Sequence, residues 1–226
     1  MPDTENVNYG ISAWYASLAD YTFPTIFVKL KESDLELIAC GEKETNETEA
    51  IILRIERAQS AFYGATFVLT DTAAPTDTPR FINKKGAVHS AKSAWNNLVS
   101  SEKIRRAARH KEFEFICVRP FRNMNYPREF RLFIYNGSLK LMSQVKLDRS
   151  YKRLTLKGEF WWNKAKEFVE NISWLLPHRT VVMDLYFTSK NEIIIIDFNK
   201  WGKPTDPMLA KNWNLDWRRE HGIKLL

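Results

Sequence analysis

The segment TVVMDLYFTSKNEIIIIDFN, residues 180–199, limits the fold of this chain more than any other stretch. It holds two apolar runs of strand length joined by Ser189, Lys190 and Asn191, residue types that turn a chain back on itself. Four consecutive isoleucines, Ile193 to Ile196, favour a strand, because β-branched side chains suit a pleated surface and lose rotamer freedom in a helix. The run is too short to cross a bilayer. Asp197, Phe198 and Asn199 follow it, so a carboxylate stands at the edge of a dry core. Side chains alternate along a strand, which predicts Asp197 and Asn199 on one face with Asp184 of the preceding strand beside them.

Burying a carboxylate there is costly unless a cation compensates it. Magnesium is the natural candidate, because it takes one or two carboxylates and leaves its other positions to phosphate oxygens and water. Asn199 would add a neutral oxygen ligand. Asp and Asn are equally residues that begin turns, and the spacing alone leaves both readings open.

A second group lies in FICVRPFRNMNYPREFRLF, residues 115–133, where Arg119, Arg122, Arg128 and Arg131 surround a loop containing Pro120 and Pro127. A guanidinium is a rigid fork of donors matched to phosphate oxygens. Singly, each arginine reads as surface charge. Together with acids two strands later, they predict a phosphate clamp opposite a metal, and so a nucleotide such as ATP. The chain has no GxxxxGK[ST], GxGxxG or GxSxG segment, which excludes P-loop, dinucleotide-fold and nucleophile-elbow chemistry. No partner group is evident for His89, His110, His178 or His221.

Helical periodicity is expected over residues 47–62, 91–110 and 160–174, and strands over 25–30, 65–70, 113–118, 129–135, 139–145, 180–187 and 192–198. Asn136-Gly137 signals a tight two-residue hairpin, and the Pro-rich stretch 72–79 a loop. The second half thus reads as a meandering, largely antiparallel sheet with one helix inserted. The expected class is α+β in two lobes, 1–112 and 113–226.

The net charge of +7 favours anionic partners, and its densest cluster is Lys103, Arg105, Arg106, Arg109 and Lys111. A nucleic-acid module would rest on that charge and eight tryptophans alone, without a recognised motif, so it is the weakest of the classes considered. Only two cysteines are present, with no zinc spacing, which suits a reducing cytoplasm. The polar start MPDTENVNYG lacks the pattern of a targeting peptide, and no membrane partner is expected.

Asp184-Leu-Tyr-Phe followed by Ile-Ile-Asp197-Phe-Asn199-Lys-Trp-Gly202-Lys-Pro-Thr-Asp206 resembles the signature of the cell division cycle protein 123 family. Glu129-Phe-Arg131-Leu-Phe with Asn136-Gly137 and Ser143-Gln144 is similar to its paired strands, and FPTIFVKL and Ala74-Pro75-Thr-Asp77 are similar to earlier segments of it. The resemblance implies an ATP-grasp fold with ATP and Mg²⁺ held between lobes. Asp184, Asp197 and Asn199 would serve metal and phosphate, Arg131 the phosphates, and the strand holding Val118 and Arg119 would supply the hinge backbone for adenine. It further implies an assembly chaperone acting on a translation initiation factor subunit, with a carboxylate–amine ligase working through an acyl phosphate as the alternative. Leu69 stands where the family carries a phosphate-binding lysine, and Lys200 where it carries proline.

Overall fold

The computed structural model describes residues 7–226. The chain forms two compact units, one of Gly10–Ser12 with Phe23–Asn123, the other of Ala13–Thr22 with Met124–Leu226. The first helix is α1 (Ile11–Leu18). The first unit then runs β1 (Ile26–Lys29), α2 (Glu32–Cys40), α3 (Asn46–Gln59), β2 (Thr66–Thr70), α4 (Pro79–Lys84), β3 (Ala87–Val88), α5 (Ala91–Val99), α6 (Glu102–Arg109) and β4 (Phe115–Pro120).

Its four strands lie in the order β1-β4-β2-β3, antiparallel throughout. Strand β4 therefore sits inside this sheet, although the sequence division grouped it with the second half. Alternation sends Val28, Val68, Ile116 and Val118 into a core shared with Ile51, Ile55, Trp95 and Leu98 of α3 and α5. Phe27, Leu69, Cys117 and Arg119 take the other face. Helix α3 starts on a reciprocal cap, in which Thr45 Oγ1 accepts from Thr48 N–H at 3.3 Å and Thr48 Oγ1 from Thr45 N–H at 3.1 Å.

The single helix expected over 91–110 is two helices. Ser100 closes α5 and Ser101 caps α6, its Oγ accepting from Ile104 N–H at 3.2 Å while donating to Asp77 at 2.5 Å. Trp95 and Leu98 before the break and Ile104, Ala107 and Ala108 after it all enter the same core, so the apolar stripe runs on across the bend. Helix α2, not anticipated from the sequence, ends on Gly41 at φ 79°, a left-handed turn that glycine adopts without strain.

The second unit contains β5 (Glu129–Tyr135), β6 (Ser138–Gln144), α7 (Lys152–Thr155), α8 (Gly158–Ile172), β7 (Val181–Phe187), β8 (Ile193–Asn199) and β9 (Gly222–Lys224). Strands β5 and β6 meet at Asn136-Gly137, both with positive φ, the mirror-type turn that suits a twisted hairpin. The sheet order is β8-β7-β5-β6-β9, antiparallel except for the β6–β9 pair. This departs from a plain meander, because α7 and α8 carry the chain from β6 back across the sheet so that β7 pairs with β5. One face meets α8 through Trp161, whose ring lies 4.6 Å from Phe187 and 6.5 Å from Phe130. The opposite face is partly covered by the segment after β8, where Trp217 stacks on Phe133 at 5.5 Å and Trp201 and Trp213 close the cluster. Among the described residues, no helix is long and apolar enough to cross a membrane.

The break between α5 and α6 gives a direct test. Ser101→Ala removes a cap and leaves the buried Ile104 N–H without its acceptor, so urea unfolding should show a loss of about 1–2 kcal/mol. The Asp77 carboxyl is partly desolvated, but its bonds from Ser101 and the Lys103 N–H outweigh this and hold it below the usual carboxylate range. Its contribution is therefore present above the unfolded value near pH 4 and fades as pH falls through the folded one. The gap between wild type and Ser101→Ala should narrow in acid. A gap below a few tenths of a kcal/mol at neutral pH would show that the cap does not matter.

Candidate nucleotide and metal site

The second sheet carries one rung of polar residues across its strands. Asp197 of β8 is registered with Asp184 of β7, Asp184 with Arg131 of β5, and Arg131 with Ser143 of β6. Residues directly opposite in antiparallel strands share a face, so this row lies on the side away from α8. Val182, Phe133 and Leu141, two residues further along each strand, begin the aromatic cluster. The row is thus a polar band at the margin of an apolar layer.

A β-bulge brings Asp197 into the row. Leu185 is paired with Ile195 and Asp184 with Asp197, so Ile196 is the extra residue. Ile195 is buried on the α8 side with Leu185, and strict alternation would send Asp197 to that side too. The inserted residue reverses the phase, turning Asp197 and Asn199 to the face of Asp184 and sending Phe198 into the core against Trp14, 5.1 Å between ring centroids. The sequence expectation that Asp184, Asp197 and Asn199 share a face therefore agrees with the structure, through a device the isoleucine run gave no sign of.

Arg131 and Asp184 form a bidentate pair: Nε donates to Oδ1 and Nη2 to Oδ2, both at 2.7 Å. The pair is well sheltered, with side-chain exposures of 12% and 17%. Nη1 of Arg131 donates to the carbonyl of Asp206 at 3.0 Å, tying the loop after β8 to the row. Asn199 Nδ2 donates to Asp184 Oδ2 at 3.1 Å, and Asp197 Oδ1 accepts from the Phe198 N–H at 2.9 Å. Burial disfavours the charge of Arg131, but the bonds to Asp184 and the nearby Asp206 and Asp197 charges outweigh it and hold the guanidinium above its ordinary range. Asp184, Asp206 and Asp197 thus all bear on this one guanidinium.

Among the described residues no three His, Cys, Asp or Glu side chains converge as a closed metal cage. What the row offers is oxygen only: the Asp184 and Asp197 carboxylates, and Asn199, whose Oδ1 remains an acceptor while Nδ2 is engaged. Two carboxylates and an amide leave most of an octahedral shell to phosphate and water, and this set fits Mg²⁺.

Arg119 and Val118 lie in the first unit. Val118 is buried in its core, and its main chain is flanked by Ile26 and Val68 in paired strands. Arg119 is buried, donates from Nε to Thr25 Oγ1 at 2.9 Å and lies over the Phe23 ring at 5.8 Å. Arg128 is also structural in its contacts, donating to the Phe187 carbonyl at 3.5 Å with its guanidinium over Trp161 at 5.6 Å. Leu69 is buried on β2 opposite Cys117. Ser143 and Gln144, part of the sequence resemblance but given no role there, complete the surroundings of the row. Ser143 Oγ accepts from Leu209 N–H at 3.2 Å, and the buried Gln144 amide accepts from the Leu226 N–H at 3.4 Å and donates to the Arg149 carbonyl at 3.2 Å.

The ion pair makes a quantitative prediction. Asp184→Ala strands a sheltered guanidinium and should cost about 3–5 kcal/mol in denaturant unfolding. Replacing both partners, Arg131→Met with Asp184→Leu, should cost clearly less than the single change. A single-variant loss below about 1 kcal/mol would mean that the pair is solvated like a surface bridge.

The site can now be set beside known proteins. Cdc123 from Schizosaccharomyces pombe superposes with a TM-score of 0.76, covering 91% of this chain and 88% of that one at 21% identity. A CDC123-like protein of Acanthamoeba polyphaga mimivirus is 24% identical across 94% of this chain and 70% of its own length. A translation initiation factor eIF2 assembly protein of Xenopus tropicalis is 31% identical over 38% of this chain and 28% of its own length. The chain thus matches less than a third of that vertebrate relative. The fold is that of Cdc123. The D123 family model matches residues 43–221, most of the chain including the whole polar row, and the chain belongs to the D123 (Cdc123) family.

Proposed function

We propose that this protein binds Mg-ATP at the polar row of its second sheet and uses nucleotide binding to assist assembly of a translation initiation factor. The observation that carries the nucleotide reading is the Asp197–Asp184–Arg131 rung, sheltered, bulge-directed and presenting two carboxylates beside a guanidinium on one face of the sheet. A second aspartate is turned into the row at the expense of regular strand pairing, and bulges re-aim side chains next to functional sites, which supports a shared ligand-facing role for Asp184 and Asp197.

In this reading Asp184, Asp197 and Asn199 hold Mg²⁺, which when bound neutralises phosphate charge. Arg131 keeps the Asp184 carboxylate oriented and offers phosphate the edge of its guanidinium that now meets the Asp206 carbonyl. The loop from Lys200 to Asp206 closes on itself, with Thr205 Oγ1 donating to the Lys200 carbonyl at 2.6 Å, so it is preorganised beside the row. The partner is proposed from the vertebrate relative, whose name states assembly of eIF2.

Calorimetry with Mg-ATP tests the nucleotide part. Wild type should bind only with Mg²⁺ present, and Asp197→Ala should lose at least about tenfold in affinity, the effect of about 1.4 kcal/mol, while unfolding like wild type. Equal affinity in the folded variant would remove Asp197 from the site. The assembly part is tested with purified eIF2 subunits: retention on the immobilised protein should depend on nucleotide, and no retention in either state would overturn it.

A further inference from the structure

The charge of this basic protein is strongly segregated. Residues 32–56, which span α2 and α3, carry eight acids and two bases, whereas the rest of the chain carries thirty-two bases and nineteen acids. A segment with a charge of −6 therefore sits on a remainder of +13. Three of these acids are paired, Glu32 with Lys111, Asp34 with Arg54 and Glu44 with Lys92, and the other five have no ion pair among the described residues. Glu36, Glu42 and Glu47 are exposed, and among the described residues none of them has a cation within ion-pair distance.

Between α2 and α3 these acids rim a depression of about 310 Å³ with Leu37, Cys40 and Ala50 in its walls and Lys31 at its margin. The pair of half-buried Arg54 and buried Asp34 closes one part of it. On the other side of α3, Ile52 and the exposed Leu53 line a second depression of about 550 Å³, rimmed by Glu44, Glu49 and Glu56 together with Lys43 and Lys92. Helix α3 therefore presents a ridge flanked by two grooves, of which the α2–α3 one is the more apolar and the one with the unpaired acids Glu36, Glu42 and Glu47 at its margin.

We infer that this face docks a basic, amphipathic protein segment, with apolar side chains in the α2–α3 groove and lysines or arginines against its acidic rim. Charge complementarity selects the occupant. Exposed glutamates without counterions repel one another and raise no stability where they stand, yet they steer and hold a cationic partner. The apolar walls distinguish such a segment from a simple polycation, because burial of its anchors adds affinity that salt does not screen. Nucleic acid and anionic lipid are repelled by the same rim. This surface belongs to the first unit and is independent of the nucleotide site.

The test uses the full chain and three fluorescent peptides in anisotropy titrations at physiological salt: an amphipathic Leu/Lys helix, its Leu/Glu counterpart and oligolysine of equal charge. The Leu/Lys peptide should bind, the Leu/Glu peptide should not, and oligolysine should bind about tenfold more weakly or less. The triple variant E36K/E42K/E47K should lose about tenfold or more for the Leu/Lys peptide. All three side chains are exposed, so its thermal melt should match wild type, and Leu53→Ser should show the apolar share separately. Equal binding of oligolysine, or unchanged binding by the triple variant, would overturn the proposal. So would salt-sensitive self-association of wild type that the triple variant abolishes, since a second copy of the chain would then be the occupant.

Discussion

A carboxylate on the face of a packed sheet must find a cation or stay protonated, and in this protein Arg131 meets that demand for Asp184. The two are registered partners on adjacent strands, and their planar groups join through two equal bonds of 2.7 Å. Much of the second unit is arranged around that pair. The third arm of Arg131 takes the Asp206 carbonyl, which fixes the loop beyond β8, and Asn199 closes on Asp184 from the far strand. Remove the pair and three strands and a loop lose a shared anchor.

The bulge at Ile196 is the complementary constraint. It costs regular pairing in β8 and gains the placement of Asp197 beside Asp184, with Phe198 packed under the sheet. Bulges of this sort re-aim side chains next to functional sites. Asp184, Asp197 and Asn199 thereby present their polar groups on one face, which links the fold of the second sheet to the proposed chemistry.

Parts of this were legible in the sequence for physical reasons. Strands β5 to β8 lie within two residues of their expected bounds, because alternation and the Asn136-Gly137 turn specify both period and ends. The grouping of Asp184, Asp197 and Asn199 was legible because a short hairpin must bring adjacent strands together. Other features had no local signal. The bend at Ser100-Ser101 is hidden by an apolar stripe that enters one core from both sides, and α2 carries too little apolar periodicity to stand out among its acids. Sheet order is a long-range property, so neither the return of β7 to β5 nor the place of β4 inside the first sheet could be read from spacing. The arginine-rich stretch was read as a unit, yet its members separate: Arg131 joins the row, Arg128 binds strand-end carbonyls and Arg119 is buried in the first unit.

We propose that the Arg131–Asp184–Asp197 row receives the metal and phosphates of a bound nucleotide. The most direct measurement is the nitrogen-15 resonance of the Arg131 Nε–H group, which the bond to Asp184 protects from exchange, followed while Mg²⁺ and ATP are added. The account predicts a saturable shift of that resonance with Mg-ATP, smaller with Mg²⁺ or ATP alone, while exposed arginines such as Arg57 stay unchanged. Saturable Mg-ATP binding that leaves the Arg131 resonance unmoved would place the nucleotide elsewhere and contradict the account.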